Sequence, residues 1–99
     1  MVVVTSVAFP TESAKELGKR FLEAPALPDF ITRRGPYFNS SREEGIVTLS
    51  IFEVDRSRLA DAIEFATNYM ATFHGVPGFK YRIRTYSEAA EVLKTIGLA

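Results

Sequence analysis

The apolar residues of this 99-residue chain change period several times, from two to about 3.6 and back, and that succession limits the fold more than any single motif does. Alternation of period two marks a strand with one face turned to a core, and the longer period marks an amphipathic helix. Read in order, the chain gives strand, helix, strand, strand, helix, strand and a short C-terminal helix. No repeat, charge run or low-complexity linker divides it, so residues 1–99 are expected to form one domain.

Val2 to Phe9 is a nearly continuous β-branched run, which predicts a strand covered on both faces, and Pro10 ends it. Thr11 or Ser13 is suited to cap the first helix, Ser13 with Glu16 in a capping box. Ala14, Leu17, Gly18, Phe21 and Leu22 share one face of that helix, where Gly18 is expected to permit close approach to the sheet. The two prolines of "EAPALPD" make a loop, and "FITRRGPYF" restarts as a strand that Gly35 and Pro36 bend or hold at an edge. In "GIVTLSIFEV", Val47, Leu49 and Ile51 point one way and Thr48, Ser50 and Phe52 the other; one face packs on the helices and the other is mixed. Asp55 is placed to cap a second helix in which Leu59, Ala62, Ile63, Ala66, Met70 and Phe73 recur at helical spacing, with Phe65 and Tyr69 widening the stripe. The stretch "HGVPGFKYRIRTY" makes a turn and then a strand with Phe79, Tyr81 and Ile83 inward and Lys80, Arg82 and Arg84 outward. Ser87 is expected to cap the last helix, which carries Ala89, Val92, Leu93 and Ile96 on one face and stops at Gly97.

Split βαβ units in this order form a four-stranded antiparallel sheet with both main helices on one face, a ferredoxin-like α+β sandwich. The expected spatial order is fourth, first, third, second strand. The outer residues of the central first strand are then either Val3, Thr5 and Val7 or Val2, Val4 and Ser6, and neither set suits a solvated surface. With 46% hydrophobic and 12% aromatic residues the chain has material for a core, yet a domain this small leaves much surface uncovered. A second subunit is the simplest cover for the apolar strip.

The segment "GIVTLSIFEVDRSRLADAIEFATNYMATFHGVPGFKYRIRTY", an apolar strand ending in an acidic residue, a long helix, a short loop and a final strand, resembles the second half of small dimeric α+β barrel proteins. That superfamily includes muconolactone-isomerase-like, antibiotic-biosynthesis-monooxygenase-like and stress-responsive barrel proteins. The resemblance implies a homodimer whose two sheets pack face to face with helices outside and a cavity in or beside the barrel. It carries no activity with it, because one fold hosts unrelated functions.

Charge and composition narrow the partners. Twelve basic and twelve acidic residues cancel, which disfavours a globally electrostatic partner such as DNA or an anionic membrane. An RNA-recognition sheet is disfavoured as well, since "VVVTSV" has no aromatic in its middle and "GIVTLSIF" has only Phe52. Without cysteine there are no disulfides, thiolate nucleophiles or cysteine-bound metals, and one histidine among scattered carboxylates offers no metal spacing. No glycine-rich phosphate loop or hydrolase triad pattern occurs, so no cofactor is expected. The apolar opening meets Pro10 well before it could span a bilayer and lacks a basic leader, and the expectation is a cytoplasmic protein.

The remaining chemistry rests on a few side chains. His74 is suited to acid–base work near neutral pH, and cofactor-independent members of the resembled superfamily use polar pocket residues, histidine among them. Near a helix end its competing role is to bind the terminal carbonyls. Arg33, Tyr37, Tyr81, Arg82 and Arg84 are ligand-binding candidates; the cationic row has a competing role in protecting a strand edge or pairing with Glu53 and other acids across a dimer. Tyr37, Phe38, Phe65, Tyr69, Tyr81 and Tyr86 are able to line an aromatic pocket or to serve as core and interface. Two functions of different class follow: a homodimeric binding or assembly module for a small organic metabolite, anionic or aromatic, or a cofactor-independent monooxygenase or isomerase.

Overall fold

A computed structural model describes residues 1–98. The elements are β1 (Val2–Phe9), α1 (Ala14–Glu23), β2 (Ile31–Ser41), β3 (Gly45–Val54), α2 (Leu59–Ala71), β4 (Lys80–Tyr86) and α3 (Ala89–Thr95), with single 3₁₀ turns at Thr11–Ser13 and Arg56–Arg58. The four strands form one antiparallel sheet in the order β2-β3-β1-β4, as the split βαβ pattern predicts. The molecule is thus a small α+β fold, compatible with a ferredoxin-like sandwich. No described helix is long and apolar enough to cross a membrane.

Strand register settles which face is which. Val3, Thr5, Val7 and Phe9 are buried and stand beside Phe52, Ser50, Thr48 and Ile46 of β3. This is the helix-covered face, so β3 buries its mixed set under the helices and turns Val47, Leu49 and Ile51 to the open face. Two linked clusters make the core: Val3, Ile31, Phe52, Val54, Ala62 and Ala66 at one end, and Val7, Phe9, Tyr69, Met70, Phe73 and Val76 at the other. Phe65 and Ile83 pack against both. Small Ala62 and Ala66 let α2 lie close on the sheet, whereas Ile63 is 36% exposed instead of joining the stripe.

The helix starts differ from the sequence reading. A 3₁₀ turn precedes each main helix: the first ends at Ser13, which keeps the N-cap position of α1, and the second separates Asp55 from α2, where Arg58 holds the N-cap. Ser13 makes no cap bond; its Oγ donates to the carbonyl of Pro77 at 2.6 Å, tying the start of α1 to the α2–β4 loop. Asp55 precedes the second 3₁₀ turn without capping it through its side chain. Glu88, not Ser87, stands at the N-cap of α3, and its N–H donates to Glu91 Oε1 at 3.2 Å. Gly97 ends the chain's last helix with φ 81°, as expected.

Candidate functional site

Helix α1 is tied at both ends by polar contacts and touches the core through Ala14 and Leu17. Ser13 fixes its start, and Gly78 packs so closely on Pro10 that an added Cβ would come within 2.6 Å of the ring. At its far end Arg20 pairs with Glu16 and donates to the carbonyls of Thr72 and His74. None of its residues is buried. The expected close approach at Gly18 does not occur: a Cβ built there meets no atom within 4 Å. The polar ties and the Ala14 and Leu17 contacts hold the helix on the body, but at Gly18 it stands off and leaves a gap.

That gap is a cleft of about 240 Å³. Its floor is the covered face of β1 and β3 with Thr5, Val7, Thr48 and Ser50; its walls are α1 with Leu17 and Phe21, the end of α2 with Tyr69, Met70 and Phe73, and the β2 segment with Pro36 and Phe38. Among the described residues no charged side chain lines it. Thr5, Thr48, Ser50 and Tyr69 bring four hydroxyls to an otherwise apolar surface, each able to donate and accept. Thr5 and Ser50 sit opposite one another in the β1–β3 ladder, so their hydroxyls are adjacent on the floor.

Tyr69 has the most perturbed environment of these groups. Burial pushes its hydroxyl above the ordinary value of 10.0, and the Arg33 guanidinium pulls part of that back. Its ring belongs to an aromatic ladder that continues through Phe65 at 5.9 Å and Phe73 at 5.5 Å. Packing on both sides fixes the ring, and Arg33 stands at its polar end. Among the six aromatics singled out from the sequence, Phe38 and Tyr69 line the cleft.

The other candidates lie elsewhere. His74 is exposed, and its ring stacks on Tyr81 with centroids 6.1 Å apart, outside the cleft lining. The carbonyls after α2 receive Arg20 instead of the imidazole. Arg33 faces the helices, whereas Tyr37, Arg82 and Arg84 belong to the open face: Arg82, Ser6, Leu49 and Tyr37 form one row across the sheet, and Arg84, Val4, Ile51 and Arg34 the next. On that face Arg34 pairs with Glu53. Lys80, Arg82 and Arg84 enter no ion pair among the described residues and follow the edge strand β4. The sequence-derived candidates therefore divide among three places: the open face, the Tyr69 hydroxyl, where Arg33 stands outside the cleft lining, and the His74–Tyr81 edge.

Sequence reasoning missed Thr5, Thr48 and Ser50. Their signal was present as polar residues in register with Val3, Val7 and Phe52, on a face otherwise sealed by apolar side chains. No group of His, Asp and Glu able to hold a metal occurs among the described residues. No known protein-family profile matches the chain, and no curated protein is significantly similar to it.

Proposed function

We propose that the chain is a homodimeric binding module that holds a neutral, aromatic or similarly apolar small metabolite in the cleft beneath α1. The observation that carries this reading is Gly18. A helical glycine costs about 1 kcal/mol relative to alanine, and here it provides no close packing that would offset the cost. Room for a guest accounts for it. An apolar cavity of about 150 Å³ is enough to hold benzene, so 240 Å³ suits a two-ring body or an aliphatic chain of like size. The four hydroxyls suit a carbonyl or hydroxyl on that body, and the uncharged lining favours a neutral guest over the anionic alternative.

Support for the dimer comes from the open face. Val2, Val4, Val47, Leu49 and Ile51 form a continuous apolar patch there, with the central residues only half-buried in the single chain. The chain is also extended for its length, with a radius of gyration of 15.2 Å against about 13 Å for a compact 100-residue domain. Two sheets packed face to face would cover the patch, giving the dimeric α+β barrel arrangement. Lys80, Arg82 and Arg84 would then border the interface, able to face Glu53 of the second copy.

A second reading has one observation in its favour. Tyr69, held beside Arg33 with its pKa raised, is a proton donor placed at the wall of a largely apolar cleft. A cofactor-independent isomerase would use such a group to protonate a substrate or to stabilise a developing oxyanion.

Titration with phenylnaphthylamine, a neutral fluorescent probe that joins a naphthyl and a phenyl group through an amine, tests the binding reading against anilinonaphthalene sulfonate, which adds an anionic group to the same skeleton. Saturable binding of the neutral probe, one per chain and tighter than the sulfonated one, is expected. Equal or preferential binding of the anion would overturn the neutral-guest assignment.

A further inference from the structure

Helix α3 is amphipathic the wrong way round for a helix that serves its own domain. Its polar side faces the body: Glu91 lies 3.1 Å from the Met1 amine and 4.0 Å from Arg56, and Glu88, Lys94 and Thr95 line the same crevice with Val54 and Asp55. With about 3.6 residues per turn, the apolar stripe is left on the opposite side. Val92, Leu93, Ile96 and Leu98 are 47%, 40%, 61% and 72% exposed. A short surface helix ordinarily hides such a stripe, because its isolated stability is marginal and packing supplies the rest.

We propose that this stripe is an interface arm that packs on a second copy of the chain, completing the dimer in which the two sheets face one another. The inference rests on the dimeric reading above and adds to it. Size is the first argument. Strands of 8, 11, 10 and 7 residues at about 3.4 Å per residue and about 4.8 Å apart give the open face a projected footprint of roughly 590 Å². A stable interface takes about 800 Å² from each partner. The projected footprint of the sheet face alone is below that figure, and the exposed apolar stripe of α3 at its border would add to it.

Continuity is the second argument. Tyr86, 46% exposed, stands on the open face beside Val2, and α3 begins three residues later. An arm leaving the sheet at that point lies at the border of the proposed interface. The ties of Glu91 to Met1 and Arg56 hold the polar side inward and thereby present the stripe outward. The chain's zero net charge also puts no long-range repulsion in the way of self-association.

Sedimentation velocity on the full chain across a concentration series tests the arm, using wild type, an α3 variant (Leu93→Glu with Ile96→Glu) and a sheet-face variant (Ile51→Glu). The α3 positions are exposed, so far-UV circular dichroism is expected to match wild type. The arm predicts a wild-type dimer whose dissociation constant rises about tenfold or more in the α3 variant. A dimer unchanged by the α3 substitutions but dissociated by Ile51→Glu would overturn the arm and leave the sheet-face dimer standing. A wild-type monomer throughout would overturn both. Wild type that stays monomeric yet sediments with neutral phosphatidylcholine vesicles through Leu93 and Ile96 would assign the stripe to a bilayer instead, which also overturns the arm.

Discussion

Replacing Gly18 tests the cleft through two opposite demands on one position. In the middle of α1, with an ordinary helical φ, alanine gains about 0.8–1.0 kcal/mol of helix propensity over glycine. An added Cβ meets no atom within 4 Å, so no steric cost offsets the gain. For a domain near 100 residues this converts to a rise in Tm of about 4–8 °C, read by thermal circular dichroism. Were α1 instead seated on the sheet at Gly18, the methyl group would overpack the contact at a cost of about 1–3 kcal/mol, and Tm would fall. The sign of the change therefore reports whether the gap exists. Gly18→Leu extends the test, since leucine is also a good helix former but projects its side chain into the space a guest would take. It should keep or raise Tm while weakening phenylnaphthylamine at least about tenfold. A lowered Tm for Gly18→Ala, or unchanged probe affinity for Gly18→Leu, would refute the reasoning.

Further outcomes follow from single contacts. Tyr69 has a folded-state pKa above its unfolded value of 10.0, so it binds its proton more tightly when folded; its contribution is present below pH 10 and lost as pH rises through the raised value. Tyr69→Phe should therefore lose less stability than wild type between neutral pH and pH 11, and parallel denaturation curves for the two proteins would contradict the burial of that hydroxyl. Ser13 is 4% exposed and donates to Pro77, so Ser13→Ala should cost about 1–3 kcal/mol in urea denaturation and loosen α1 at its start, visible as faster amide exchange there. Phe52, 2% exposed and edge-on to Phe65 at 6.3 Å, anchors the core cluster; Phe52→Ala should cost about 3–5 kcal/mol, and a loss under 1 kcal/mol would place that ring outside the core.

The succession of periods was enough to read the element order, the strand order and the central position of β1, because each follows from local alternation and from the few ways split βαβ units can close. Faces were harder. Both sides of β3 carry large apolar residues, so composition alone does not choose between Leu49 and Phe52; pairing with Val3 and Val7 does, and pairing is a long-range property. The same parity separates Arg33 from Arg34, which share no face although they are neighbours in sequence. The register shift between Arg34 and Tyr37 then decides that Tyr37 lies on the open face and Phe38 in the cleft. Caps failed where a 3₁₀ turn separated Asp55 from α2 and where the Ser13 hydroxyl took a partner 64 residues away. Gly18 shows the limit most plainly: helical spacing identifies which face it occupies, but the distance from that face to the sheet is set by Pro77, His74 and Thr72, which anchor α1 at its two ends. The inverted orientation of α3 was invisible for a similar reason, since its apolar stripe was legible but the side that docks was fixed by charges on Met1 and Arg56.

Native mass spectrometry of the purified chain, with and without phenylnaphthylamine, tests the central claim most directly. The account predicts a dimer that takes up one probe per chain, with uptake abolished by Gly18→Leu while the dimer persists. A monomer that binds no probe would contradict both the covered sheet face and the cleft beneath α1.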